Sequence, residues 1–183
     1  MTATTVPGYI AGTWMIDPVH SEVGFTIRHM MVSKVRGAFR TFSGSVVTAP
    51  DPLQSTVSAD VELASVDTGN ADRDNHLRSA DFFETEAHRT MSFRSTSIRE
   101  DDGELVLVGD LTLRGVTRPV ELALEIGGFG PDAFGGTRAG FSATGEIKRS
   151  DFGLEYNAVL ETGGLVLSDK VTINLEIQLV LQS

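Results

Sequence analysis

Strict period-two alternation of apolar and polar residues recurs along this chain, and few folds accept it. Val57, Ala59, Val61 and Leu63 share one parity against Ser58, Asp60 and Glu62. Val120, Leu122, Leu124 and Ile126 repeat the pattern, as do Val171, Ile173, Leu175, Ile177 and Leu179. Successive side chains of a strand point to opposite faces, so each stretch predicts a strand with one apolar face. Val23, Phe25 and Ile27 mark another against Glu22, Gly24, Thr26 and Arg28.

The stretches between them fit the same plan. Residues 35–47 predict a strand with Phe39 and Phe42 as its large residues, and Gly37 and Gly44 as bulge or bend positions. Met30, Met31 and Val32 break the alternation after His29 and predict a short helical turn or bend with its thioethers inward. Met91 and Phe93 open a strand closed by a polar hairpin at 100–103, and residues 105–114, with Leu111 and Leu113, pair back. A glycine-rich connection at 127–136 precedes a strand over 139–148 that contains Phe141.

These total about eight strands with hairpin-length connections, which predicts an all-β fold: an extended antiparallel β-barrel closed on itself, leaving no free edges. A barrel of about eight strands either fills with side chains or holds one small ligand. The inward sets are mostly Val, Leu, Ile, Phe and Met, so a ligand inside would be apolar.

Residues 69–83, GNADRDNHLRSADFF, interrupt the β pattern and predict a short helical insert. Asn70 is placed to cap it, Asp72 and Asp74 sit where a helix N-terminus favours negative charge, and Leu77 is positioned to face inward. Phe82 and Phe83 leave the helix together, as in a plug or lid resting on apolar surface.

At 183 residues the chain has the size of one domain, read as 14–183 after an N-terminal tail at 1–13 whose first seven residues are polar and frayed. A net charge of −10 repels phosphate backbones and argues against nucleic acid. Cysteine is absent, which removes disulfides, thiol catalysis and thiolate metal sites. No apolar run approaches the roughly 20 residues needed to span a bilayer, which argues against stable membrane insertion. The first residues do not read as a secretory signal, and the expectation is a soluble, cytoplasmic protein.

Candidate chemical motifs weaken on inspection. Asp151, Phe152 and Gly153 spell the kinase metal-binding tripeptide without the other kinase motifs, and read as a turn. The glycines of 127–130 lack the Lys and Ser or Thr of a phosphate-binding loop. His20, His29, His76 and His88 are scattered, so no metal site is expected. Asp72, Asp74, Asp81 and His76 can be drawn as acid–base machinery, but read more simply as a solvated helix face with ion pairs to Arg73 and Arg78. Ser21 and His20 are neighbours on a strand and point apart. Phe82, Phe83, Phe93, Phe141 and Phe152 read either as ordinary core or as ligand contacts.

The runs IDPVHSEVGFTIRHMMVSKVRGAF, ASVDTGNADRDNHLRSADFF, GDLTLRGVTRPVEL and KRSDFG, in that order, resemble the motifs of the YceI-like family of lipocalin-like, polyisoprenoid-binding proteins. The likeness extends from Trp14 to Leu179. It implies an extended barrel whose apolar cavity holds a polyisoprenoid or the tail of an isoprenoid quinone, without catalysis or cofactor, and often a homodimer. Carried onto this chain, it makes 73–83 a helical cover and places Val23, Phe25 and Ile27 on the cavity wall. The expected ligand-binding set adds Met30, Met31, Phe39 and Phe42 from the next strands, then Val61 and Leu63. It is completed by Leu77, Phe82 and Phe83 of the cover, Phe93, Leu111 and Leu113, and finally Phe141 and Phe152. Two rival readings stand beside it: a barrel packed shut in a stress-related or interaction protein, and an enzyme using Asp74 and His76 on an apolar substrate.

Overall fold

A computed structural model describes residues 6–30, 32–157 and 166–183. The first strands are β1 (Gly12–Ile16), β2 (Glu22–His29), β3 (Ser33–Phe39), β4 (Phe42–Thr48), β5 (Thr56–Glu62) and the two-residue β6 (Val66–Asp67). The helix α1 (Ala71–Arg78) follows, then β7 (Thr90–Asp101), β8 (Glu104–Leu113), β9 (Val116–Pro131), β10 (Thr137–Lys148) and β11 (Leu167–Leu181). Every pairing among them is antiparallel.

The eleven segments form eight staves of a closed barrel. β1 and β2 both lie along β11, on Leu179–Leu181 and on 167–176 respectively, and so form one stave broken by the turn Pro18–His20. β3 pairs with β2 while β4 pairs with β1, and β5 and β6 follow them in the same way. β1 closes the ring by bridging β4 and β11. The strand expected over 35–47 is therefore two strands, bent at Arg40 and Thr41.

Gly37 and Gly44 serve close packing rather than bulges. Gly37 lies opposite Phe25, and a Cβ there would overlap the phenyl ring. A Cβ at Gly44 would come within 2.7 Å of Ile16 Cδ1 and of the Ser58 carbonyl oxygen. The register shifts among the described residues fall between Gly140 and Phe141, between Ser95 and Ser97, and between Leu167 and Val171 where β11 runs along β2.

One end of the barrel is sealed by aromatic packing. Trp14 is fully buried, and its Nε1 donates to Thr48 Oγ1 at 2.8 Å. The Phe129 ring lies edge-on to Trp14, Tyr9 and Phe141, with centroids 5.3 to 5.7 Å away. Tyr9 Oη donates to the Ala49 carbonyl at 2.6 Å, and Val6 is buried. The tail expected over the first residues thus lies outside the described residues only up to residue 5.

At the other end the chain leaves the ring after β6, forms α1, and returns as β7. Asn70 Oδ1 accepts from Arg73 N at 3.0 Å, as a helix cap should. Asp74 is buried, accepting from Thr68 N at 2.9 Å and from Thr68 Oγ1 at 2.6 Å. Arg78 donates to the carbonyls of Ala64 and Val66, so the helix is tied to the chain preceding it. These contacts replace the ion pairs expected between the acidic residues and Arg73 or Arg78. Among the described residues no helix is long and apolar enough to cross a membrane.

Candidate functional site

The barrel interior is not filled. A cavity of about 550 Å³ runs from Tyr9 and Leu53 at the sealed end to Leu77 and Tyr156 at the α1 end. That volume falls within the range of about 300–1,000 Å³ typical of small-ligand sites. Its wall is built from the inward parity of nearly every stave, because each strand contributes alternate residues to the interior. The apolar residues Val23, Phe25 and Ile27 come from β2, Leu105 and Leu107 from β8, and Ile173 and Leu175 from β11.

Most of the expected ligand-binding residues lie on this wall. Phe39, Phe42 and Val61 line it beside the β2 set, Phe93, Leu111 and Leu113 line it from β7 and β8, and Phe141 from β10. Leu77, Phe82 and Phe83 form the wall at the helical end, where Phe83 packs against Phe39 with centroids 5.8 Å apart.

Three positions lie elsewhere. Leu63 sits in the turn Leu63–Ser65 and is fully buried in the core beneath the wall, because the strand carrying its parity ends one residue earlier. Phe152 is buried in the same core, where the turn Arg149–Phe152 carries the chain out of β10 and Gly153 closes it at φ 74°. Met30 is exposed at φ 52°, just beyond the pairing of His29 with Ser33, and not turned inward as expected. Met31 lies outside the described residues.

The wall also includes residues that reading the sequence passed over. Leu122, Leu124 and Ile126 of β9 and Ile177 and Leu179 of β11 are cavity residues carrying the same period-two signal as the expected set. The polar members had no such signal. Thr68, Arg73 and His76 come from α1 and its approach, Arg149 and Tyr156 from the segment after β10, and His29 from the end of β2.

His76, Phe82 and Tyr156 pack edge-on against one another, with centroids 4.9 to 5.2 Å apart. His76 Nε2 is 2.8 Å from Asp81 Oδ2, while the Asp74 carboxylate is bonded to Thr68. The two residues a catalytic reading would pair are thus engaged separately.

A YceI-like domain model matches residues 14–179. The chain belongs to the YceI-like family. It is 42% identical to the YceI protein of Escherichia coli O157:H7 over 149 residues, covering 80% of this chain and 78% of that protein. The crystal structure of a YceI protein from Campylobacter jejuni superposes with a TM-score of 0.73 at 32% identity, covering 91% of this chain and 96% of that one. A polyisoprenoid-binding domain from Saccharophagus degradans has the same fold, with a TM-score of 0.67 at 16% identity over 92% of this chain and 98% of that one. Family membership thus accords with the lipocalin-like architecture, a barrel around an apolar ligand-binding cavity.

Proposed function

We propose that this protein binds a long apolar isoprenoid, either a polyisoprenoid or the tail of an isoprenoid quinone, and acts as a carrier, store or protective sheath without catalysis. The continuous apolar cavity carries this reading, because a barrel packed shut would leave no such space along its axis. The name of the S. degradans neighbour supports the ligand class. Each buried methylene contributes about 0.8 kcal/mol, so a few isoprene units offset the ordering and association costs of capture. Affinity then grows with chain length until the cavity is full.

Native mass spectrometry of freshly purified protein, followed by solvent extraction, tests this directly. The expected result is a stoichiometric isoprenoid lost on extraction. Protein that carries nothing and also refuses added isoprenoids of several lengths would sink the proposal.

A further inference from the structure

Apolar lining alone does not explain the charge pattern of the cavity. The chain has 25 acidic residues against 15 basic ones, yet among the described residues no aspartate or glutamate lines the wall. The cationic or imidazole side chains that do line it are Arg73, Arg149, His29 and His76. All four lie at the α1 end. His29 pairs with Leu167, Arg149 Nε donates to the Ser168 carbonyl at 2.9 Å, and Arg149 Nη1 donates at 2.7 Å to the carbonyl of Tyr156, whose ring packs on His76. At the sealed end the polar wall groups include the uncharged Tyr9, Thr48 and Ser55, whose hydroxyls are engaged with the backbone around them.

Arg149 is the most costly member of this set. It is only 6% exposed, and a buried cation ordinarily requires a paired carboxylate. Asp169 attracts it electrostatically, but the Asp169 oxygens are bonded to Ser150 N and Oγ at 2.9 and 2.8 Å. Backbone carbonyls of Ser168, Leu154 and Tyr156 take its Nε and Nη1 donors. Its Nη2 donors have no acceptor among the described residues, although a guanidinium offers a full planar fork. Burial pushes its pKa down, yet a guanidinium stays protonated at neutral pH. The fold thus holds a cation with spare donors at one end of an apolar tunnel.

We propose that the α1 end is a headgroup site for an acidic amphiphile, in which Arg149 receives the oxyanion of a carboxylate or phosphate ester while the apolar chain fills the barrel. Arg73 and His76 lie at the rim of this site. The proposal rests on the cavity holding an apolar chain. A desolvated guanidinium favours an oxyanion over a neutral head and rejects a cation outright, so the site selects by charge.

Titration of the intact, lipid-stripped protein with geranylgeranoic acid, geranylgeraniol and geranylgeranylamine tests this, since the three share a chain and differ only in the head. The acid is expected to bind about tenfold or more tighter than the amine, with the alcohol between them. Equal affinities would overturn the headgroup site and leave the apolar-chain reading standing; no binding by any of the three would overturn both. Excess acetate should not displace the acid, and displacement would make this a free-anion site instead. In Arg149→Met the advantage of acid over alcohol should vanish while alcohol binding persists, and an unchanged advantage would refute the role of Arg149. Because Arg149 also braces 154–156, the wild-type series decides the matter even if that variant folds poorly.

Discussion

Gly37 shows how a single residue is constrained by its opposite neighbour. Phe25 lies across the β2–β3 ladder with its ring over the glycine, and a Cβ would also stand 3.0 Å from Thr68 Cγ2. Gly37→Val should therefore destabilise the fold by about 1–3 kcal/mol through overpacking, read as a lower denaturant midpoint. A midpoint equal to wild type would mean that the Phe25 ring moves aside freely. The carboxylate of Asp17 accepts from Arg138 Nη1 at 2.6 Å, from Val19 N at 3.0 Å, and lies 2.7 Å from His20 Nδ1. The Arg138 guanidinium, and then His20, hold its pKa well below the usual carboxylate range. A depressed folded pKa gives stability that is fully present above the unfolded value of about 4 and is lost as pH falls below it, because the unfolded chain then binds more protons. Urea melts along the acid limb should accordingly lose stability more gently in Arg138→Gln, which starts lower at neutral pH. Parallel acid limbs for the two proteins would refute the assignment. The pairing of Asp17 with Arg138, 121 positions away, leaves no local signal in the sequence.

At the scale of the element, α1 lacks the apolar stripe that normally seats a surface helix. Its seat is polar: Asp74 on Thr68, Arg78 on the carbonyls of Ala64 and Val66, and Arg114 donating to the Ala80 carbonyl just beyond its end. Asp74→Ala removes a buried carboxylate and strips the part-buried N–H and hydroxyl of Thr68 of their acceptor, which costs up to about 1–3 kcal/mol. Hydrogen exchange should show the loss concentrated in α1 and Thr68, with the barrel strands nearly unchanged. Uniform loss over all strands would mean instead that the cover and barrel unfold as one unit. The sequence announced this helix through Asn70 and the break in alternation. It did not reveal the seat, because local spacing suggests neighbouring ion pairs whereas free carbonyls of the preceding turn compete successfully for the arginines.

For the whole molecule, closure of the barrel around an open interior is decisive. Ala143 projects into the cavity between Leu124 and Leu175 on the adjacent staves. Ala143→Phe should narrow the tunnel and weaken long isoprenoids more than short ones, measured as affinity against chain length; an unchanged length profile would place the chain elsewhere. Saturating lipid-free protein with geranylgeraniol at about 100 times its Kd should add about 2.7 kcal/mol, raising Tm by roughly 5–10 °C for a chain of this size. No shift would argue against occupancy of the cavity. Period-two alternation by itself determined the antiparallel strands, their inward faces and the apolar character of anything enclosed, since side-chain parity is a local property of extended backbone. Family motifs in the same sequence pointed to the barrel and its helical cover. Only the tertiary structure decided that the interior stays open, that Leu63 and Phe152 retreat into the core, and that Arg149 joins Arg73 and His76 at one end. Those outcomes depend on strand breaks, register and distant carbonyls, and a one-residue change in where a strand ends is enough to move a side chain off the wall.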